Sequence, residues 1–352
     1  MTRLRSAILG CGPRGEAHAR VYQNIQQSDL VACCDMNNER LQNFSRRFNI
    51  EGAFADLQTM MDEVRPDLLH IVTSPTVRWA VVAAALRTPP RAILIEKPLA
   101  CTPGEAKQII DACRDAGIAL FVNHQLRHHE PHMKLRDVVQ SGELGEIEGV
   151  RASCKLNLLN QGTHLFDLVS FVFDDRPIEW VFAQATGAEG FRDSHSCAAY
   201  VAGAFAFGEG PHVGFECGPL APLWKQEQAL SWNFGLEVAG TKGRAGASLN
   251  HGWWLQVGKR MSEYPVPYGE ENERAQTRLT ESILEALVGG QDLIAAHPNN
   301  TDRSAASFDV AMAAQRSALD RAPVKPGPGA VVDADIDRLR AELEAYERRQ
   351  AV

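Results

Sequence analysis

Short apolar runs recur through the first third of the chain, separated by stretches with helical spacing. The runs are "AILG" (7–10), "LVACCD" (30–35), "LLHIVTS" (68–74), "AILIE" (92–96) and "IALFVN" (118–123). They are apolar throughout rather than alternating, the pattern of strands buried on both faces. Helices are expected between them, near 14–27, 38–48, 56–64, 78–87 and 103–116. Repeated strand–helix order predicts an α/β fold built on a parallel, doubly wound sheet. After about residue 125 the pattern changes. Strand-like stretches fall near 146–156, 178–187, 198–208, 230–239 and 244–257, with two-residue alternation in "VRASCKL" and "FAFG". Helices are expected over 163–174, 271–289 and 302–320. "VKPGPGA" (324–330) reads as a linker, and the tail places Ile336, Leu339, Leu343 and Tyr346 on one helical stripe. The expected domains are 1–123, 124–330 and a helical tail over 331–352.

The first strand runs into Gly10-Cys11-Gly12-Pro13-Arg14-Gly15, a G-x-G-x-x-G. Gly10 permits a tight turn, Gly12 close approach of a pyrophosphate, and Gly15 close helix–strand packing. Pro13 suits the first helical turn, where its missing N–H costs nothing. The free N–H groups and positive dipole end of that helix favour phosphate. Asp35 stands twenty residues past Gly15, at the end of the second strand. Strand, turn, helix and distant acid together make a dinucleotide site. A carboxylate there accepts from ribose hydroxyls and repels a 2′-phosphate, so NAD is expected over NADP. Met36, Asn37 and Asn38 offer no positive charge to such a phosphate, although Arg40 is near.

Composition narrows the remaining classes. A chain of 352 residues is long enough for two domains with real cores. The net charge of -8, with no long basic run, argues against nucleic acid as a partner. No apolar stretch reaches the roughly 18 residues of a membrane span. The apolar patch after "MTRLRS" is too short for a signal peptide and leads straight into the glycine turn. Eight scattered cysteines, without a C-x-x-C pair, are expected as reduced buried thiols of a cytoplasmic protein.

Glu96-Lys97-Pro98 follows the apolar run "AILI". Ligands bind at the carboxyl ends of parallel strands, which puts Lys97 on the nicotinamide side of the expected cleft. The bland alternative is a solvated ion pair between neighbouring charges.

The GCGxxG turn, the acid after strand two, "TSP" (73–75) and "EKPLA" (96–100) resemble the Gfo/Idh/MocA family of sugar and cyclitol oxidoreductases. The likeness continues in "NQGTHLFD" (160–167), which resembles the family's D-x-G-x-H with an Asp three residues on. It implies a Rossmann domain followed by an α/β domain on a large, open, mainly antiparallel sheet. The resemblance also implies a homo-oligomer, dimer or tetramer. There are departures: Thr76 and Trp79 stand where the family has the Asn and His of P-N-x-x-H, and Asn160 replaces its Asp.

By the resemblance Lys97 and His164 are catalytic and flank the reacting hydroxyl. The expected cofactor-binding set is Gly10, Gly12, Pro13, Arg14, Gly15, Asp35, Ser74, Pro75, Glu96 and Lys97. Lys97, Arg127, Asn160 and His164 are expected to bind substrate. A partly desolvated lysine beside a cationic nicotinamide has its pKa lowered toward a useful range. A histidine works as a base near neutral pH without a large shift. Asn160 can orient the imidazole but not neutralise an imidazolium, a task open to Asp167. Arg127 can donate to substrate hydroxyls or make an ordinary ion pair. His124, His128, His129 and His132 suggest a metal by spacing alone, but polar surface is the simpler reading and no metal is expected. Trp232, Trp253 and Trp254 read as core or interface rather than as a sugar platform. The implied activity is an NAD-dependent dehydrogenase of a sugar, sugar derivative or cyclitol. A glycoside hydrolase using transient oxidation, or a non-catalytic sensor, are the alternatives.

Overall fold

The computed structural model describes residues 3–224 and 233–350. Trp232 and the start of the strand expected over 230–239 lie outside the described residues. The chain forms two compact units. The first runs through Ala100, then takes in Glu105–Gln125 and Asn272–Ser304. The second comprises Cys101–Gly104, Leu126–Glu271 and the chain from Ala305 onward.

The first unit is a six-stranded sheet of β1 (Leu4–Leu9), β2 (Ser28–Cys34), β3 (Gly52–Phe54), β4 (Leu68–Ile71), β5 (Ala92–Ile95) and β6 (Ala119–Val122). Their order is β3-β2-β1-β4-β5-β6, parallel throughout. The winding direction reverses between β1 and β4, which opens a crevice at their carboxyl ends. Connecting helices are α1 (Pro13–Arg20), α2 (Asn38–Phe48), α3 (Leu57–Val64), α4 (Arg78–Ala85) and α5 (Pro103–Asp115). β4 and β5 are buried at every residue, as their mainly apolar runs require, His70 being the one polar residue among them. β3, only three residues long, leaves no readable pattern.

The sequence pattern carries no sign that the chain returns to this unit at 272–304. The reason is burial. Leu4, Leu68, Leu94 and Phe121 line one sheet face, and Leu279, Ile283, Leu284 and Leu287 pack onto them. Covering each such side chain contributes roughly 1.5–3 kcal/mol.

The second unit holds α6 (Glu130–Gln140), α7 (Thr163–Val172) and an eight-stranded sheet. Its strands are β7 (Ile147–Cys154), β8 (Trp180–Thr186), β9 (Tyr200–Ala206), β10 (His212–Cys217), β11 (Phe234–Gly240), β12 (Gly243–Ser248), β13 (Gly252–Val257) and β14 (Arg260–Tyr264). The order is β14-β13-β12-β11-β7-β10-β9-β8, antiparallel except for β7 with β10. The stretch expected as one strand over 244–257 is the hairpin β12–β13. Gly252 turns it at φ +82°, where a Cβ would sit 2.0 Å from the Tyr264 carbonyl oxygen. Phe166 of α7 meets Phe205 and Phe215 of the sheet edge-on. Trp253 stacks on Tyr264, and Arg244 lies over Trp254.

The later helices are α8 (Tyr268–Gly289), α9 (Gln291–Ala296), α10 (Thr301–Asp320) and α11 (Asp333–Gln350). Only part of the tail stripe is covered: Ile336 and Leu339 are buried, whereas Tyr346 is exposed. Glu347 accepts from the Ala188 N–H at 2.7 Å, tying the tail to its own unit. Among the described residues no cysteine forms a disulfide, and seven of the eight are buried. Among the described residues no helix is long and apolar enough to cross a membrane.

Candidate functional site

Within the first unit the turn after β1 has three glycines with three different reasons. At Gly10, φ is +103° and a Cβ would sit 2.3 Å from the Val72 carbonyl oxygen. A Cβ at Gly15 would strike the Gly10 carbonyl at 2.0 Å. Packing alone therefore demands both. Gly12 has an ordinary φ of -77°, and a Cβ there would meet nothing within 4 Å. The protein supplies no reason for that glycine; a ligand backed against the turn does. Gly12 caps α1 without any side-chain hydrogen bond, and Pro13 opens the helix. The N-terminal pole is thus free of the side-chain acceptor that usually fills it. A cavity of about 420 Å3 adjoins the turn, lined by Gly12, Pro13, Asn37, Arg40 and Arg47 among others.

Asp35 follows β2 as expected, and the nearby Arg40 turns out to be its direct partner. Arg40 forks onto the carboxylate with Nε–Oδ2 and Nη2–Oδ1 contacts of 2.9 Å each. The N–H groups of Cys11 and Asn37 complete four donors on two oxygens. Burial works against the charge, yet Arg40 and these N–H groups outweigh it and hold the carboxyl below its ordinary value. With every acceptor position taken, a ribose hydroxyl can bond here only if one donor yields. Arg40, whose side chain is half exposed, is the donor least confined.

Glu96 ends β5 in a buried polar knot. Its Oε1 accepts from Arg14 Nε at 2.7 Å, His18 Nε2 at 3.0 Å and Asn123 Nδ2 at 2.8 Å. Burial opposes ionisation, but the Arg14 charge and the His18 bond keep this carboxyl well below the usual range. The bonding then propagates by necessity. An ionised Glu96 requires the proton of His18 on Nε2, leaving Nδ1 bare. His70 Nδ1, 2.9 Å away, must donate to it. His70 Nε2 is then bare and accepts from the Tyr22 hydroxyl at 2.6 Å. Burial lowers the pKa of both imidazoles, so both stay neutral. The Lys97 charge also favours ionised Glu96, but less than Arg14 and His18 do. In the stretch 92–100, Lys97 alone is not fully buried.

Arg78 is the first residue of α4 and is 1% exposed. Its Nη1 donates to the Glu96 and Pro98 carbonyls, while Nη2 donates to the Thr73 carbonyl at 3.0 Å. Ser74 caps the single turn beginning at buried Pro75, accepting from the Thr76 N–H. These groups all gather at the carboxyl ends of β4 and β5. Sequence reasoning missed Tyr22, His18, His70 and Arg78. The available signal was a polar residue inside an apolar run, as in "LLHIV" and "PTVRWAVV".

In the second unit a π-turn, Leu158–Gly162, leads into α7. Such turns concentrate at functional sites. Asn157 Oδ1 accepts from the Asn160 N–H at 2.8 Å, fixing the turn's start. His164 lies in the first turn of α7 and is 6% exposed; Asn160 is half-buried. The expectation that Arg127 faces substrate is corrected. Its Nε bonds Asp167 at 2.9 Å, and Nη1 and Nη2 bond Asp175 at 2.9 and 2.7 Å. A guanidinium this deeply buried must be compensated, and two carboxylates do so. Asp167, proposed from the sequence as counter-ion to His164, pairs with Arg127, which it shares with Asp175. His124, His129 and His132 are buried rather than polar surface. Among the described residues no group of His, Cys, Asp or Glu could hold a metal.

Comparison with known proteins places these features. Residues 4–124 match the Gfo/Idh/MocA family, described as an oxidoreductase family with an NAD-binding Rossmann fold. D-apiose dehydrogenase of Paraburkholderia graminis is 25% identical over 190 residues, 49% of this chain and 50% of that protein. D-glucoside 3-dehydrogenase of Escherichia coli is 30% identical over 145 residues, 41% of each chain. The chain spans about half the length or less of these relatives. An Agrobacterium radiobacter oxidoreductase, solved with NAD+, L-tartaric acid and magnesium, shares the fold with a TM-score of 0.77 at 18% identity. That likeness covers 92% of this chain and 98% of that one. Over residues 4–124 the chain thus resembles the Gfo/Idh/MocA oxidoreductase family in its NAD-binding Rossmann segment.

Proposed function

We propose that the protein is an NAD-dependent oxidoreductase moving a hydride between nicotinamide and a secondary hydroxyl of a sugar, sugar derivative or cyclitol. The observation that carries the reading is Gly12, a glycine where the protein leaves the space of a Cβ open. The named relatives, dehydrogenases of apiose and of glucosides, support the substrate class.

The turn and the pole of α1 take the pyrophosphate. Asp35 accepts from the adenosine ribose as Arg40 gives way, which favours NAD over NADP. Ser74 and Pro75, after β4, stand on the nicotinamide side. NAD, when bound, supplies the carbon that accepts hydride. Lys97 donates to the substrate oxygen and stabilises the developing alkoxide. His164 takes the hydroxyl proton as the hydride leaves carbon, so charge and mass balance. Asn160 offers an amide to orient that imidazole.

The test is a panel of polyols, sugars and glycosides scored by NADH absorbance, with aglycone release measured in parallel. Lys97→Met is expected to keep NAD affinity within a few fold while turnover falls by about 100-fold or more. Lost cofactor affinity with an unchanged rate would refute the role of Lys97. Aglycone release without net NADH would replace the dehydrogenase by redox-assisted hydrolysis, and binding without turnover of anything would indicate a sensor.

A further inference from the structure

Every peptide carbonyl at the end of a parallel strand needs a donor once the ladder stops. At β4 and β5 one side chain provides several. Arg78 Nε and Nη2 both reach the Thr73 carbonyl, at 3.3 and 3.0 Å. Its Nη1 reaches the carbonyls of Glu96 and Pro98, the latter at 3.1 Å. Those two carbonyls belong to the residues immediately before and after Lys97. The rigid fork of a guanidinium ties the backbone flanking Lys97 to the end of the neighbouring strand.

A buried cation is an expensive way to fill this space. An apolar side chain of similar volume is often as stabilising or more so. The N–H groups of Arg78 are spent on main-chain oxygens on both sides of one half-buried lysine. Glu96, meanwhile, is anchored separately through its side chain by Arg14, His18 and Asn123. Backbone and side chain at this strand end are therefore held by different groups.

We infer that Arg78 is a positioning residue for Lys97, fixing the peptide from which the amine projects toward the reacting hydroxyl. The effect on rate rests on the proposed role of Lys97; the effect on geometry does not. A displacement of about 1 Å at a reacting group can cost around 100-fold in rate. The bonds of Arg78 run to Thr73, Glu96 and Pro98, whereas the glycine turn and Asp35 are assigned the pyrophosphate and ribose, so most of the cofactor affinity stays.

Two variants and two readouts test this. Arg78→Gln removes the charge and the fork; Arg78→Lys keeps the charge without the fork. With the best substrate of the panel, deuterated at the reacting carbon, Arg78→Gln should lower kcat about 100-fold with NAD Kd within threefold. Its primary isotope effect on kcat should rise, because misplacement slows hydride transfer itself. A merely structural loss, by reducing the folded fraction, leaves the isotope effect unchanged. Arg78→Lys should fall between, and it serves if the glutamine variant fails to fold.

The second readout needs no turnover. Lysines are reductively methylated with 13C-formaldehyde, and the Lys97 resonance is assigned by its loss in Lys97→Met. In either Arg78 variant that resonance should move or broaden, and its response to NAD should change, with other lysines unaffected. An unchanged Lys97 resonance and NAD response in a folded variant overturns the inference. So does an unaltered isotope effect with kcat near wild type while Lys97→Met is inactive. If Lys97→Met itself retains full rate, the catalytic reading of Lys97 fails while the resonance still decides the clamp.

Discussion

His70 lies at 0% exposure between His18 and Tyr22, and burial holds its pKa well below the ordinary 6.5. Acidification therefore protonates the unfolded chain before the folded one. The unfolded state binds more protons, so stability falls as pH falls below about 6.5 and is fully present above it. For a histidine that stays neutral when folded, the loss between pH 8 and pH 5 is about 2 kcal/mol. His18, also lowered and fully buried, adds up to a similar amount, for a total of up to about 4 kcal/mol. That is a large part of a typical domain stability of about 5–15 kcal/mol. Glu96 is silent over this interval, because its unfolded carboxyl titrates lower. His70→Gln isolates the effect: the amide can donate to His18 and accept from Tyr22, but it does not titrate. Urea unfolding followed by circular dichroism at about pH 8, 7, 6 and 5 should show a shallower acid slope for the variant. The difference approaches about 1.4 kcal/mol per pH unit below pH 6. Equal slopes for the two proteins would mean that His70 accepts a proton when folded, and the bonding deduced for Tyr22, His70, His18 and Glu96 would be wrong.

Gly12→Ala should leave the melting temperature nearly unchanged yet weaken NAD about tenfold or more, as measured by calorimetric titration. Gly15→Ala should instead destabilise the fold, because its Cβ meets the Gly10 backbone. Arg127→Gln leaves Asp167 and part of Asp175 buried without their cation, and should cost about 3–5 kcal/mol in denaturant unfolding; a stable variant with raised KM would restore Arg127 as a substrate ligand. Asp35→Ser should narrow the gap between NAD and NADP affinities by freeing Arg40, while Asp35→Ser with Arg40→Ser should bind NADP more weakly than the single variant. Fluorescence titration of both cofactors distinguishes these outcomes.

The parallel sheet was legible because strands buried on both faces are apolar along nearly their whole length, as β5 is throughout and β4 is but for His70. The glycine turn was legible because positive φ at Gly10 and backbone crowding at Gly15 leave glycine as the only residue that fits. Local sequence also located Lys97 just past the end of β5, because the apolar run "AILI" stops there. The return of 272–304 to the first unit was not legible: a helical stripe on Leu279, Ile283 and Leu287 states that it must be covered, not by which surface. Charges followed the same division. Nothing in spacing says that Arg40 would fork onto Asp35, that Arg127 would be claimed by Asp167 and Asp175, or that Arg78 would hold the carbonyls on either side of Lys97. Whether a charged side chain meets ligand or protein depends on which groups tertiary packing removes from water beside it. That pairing, made across 82 positions in the case of Arg14 and Glu96, was decided only by the tertiary structure.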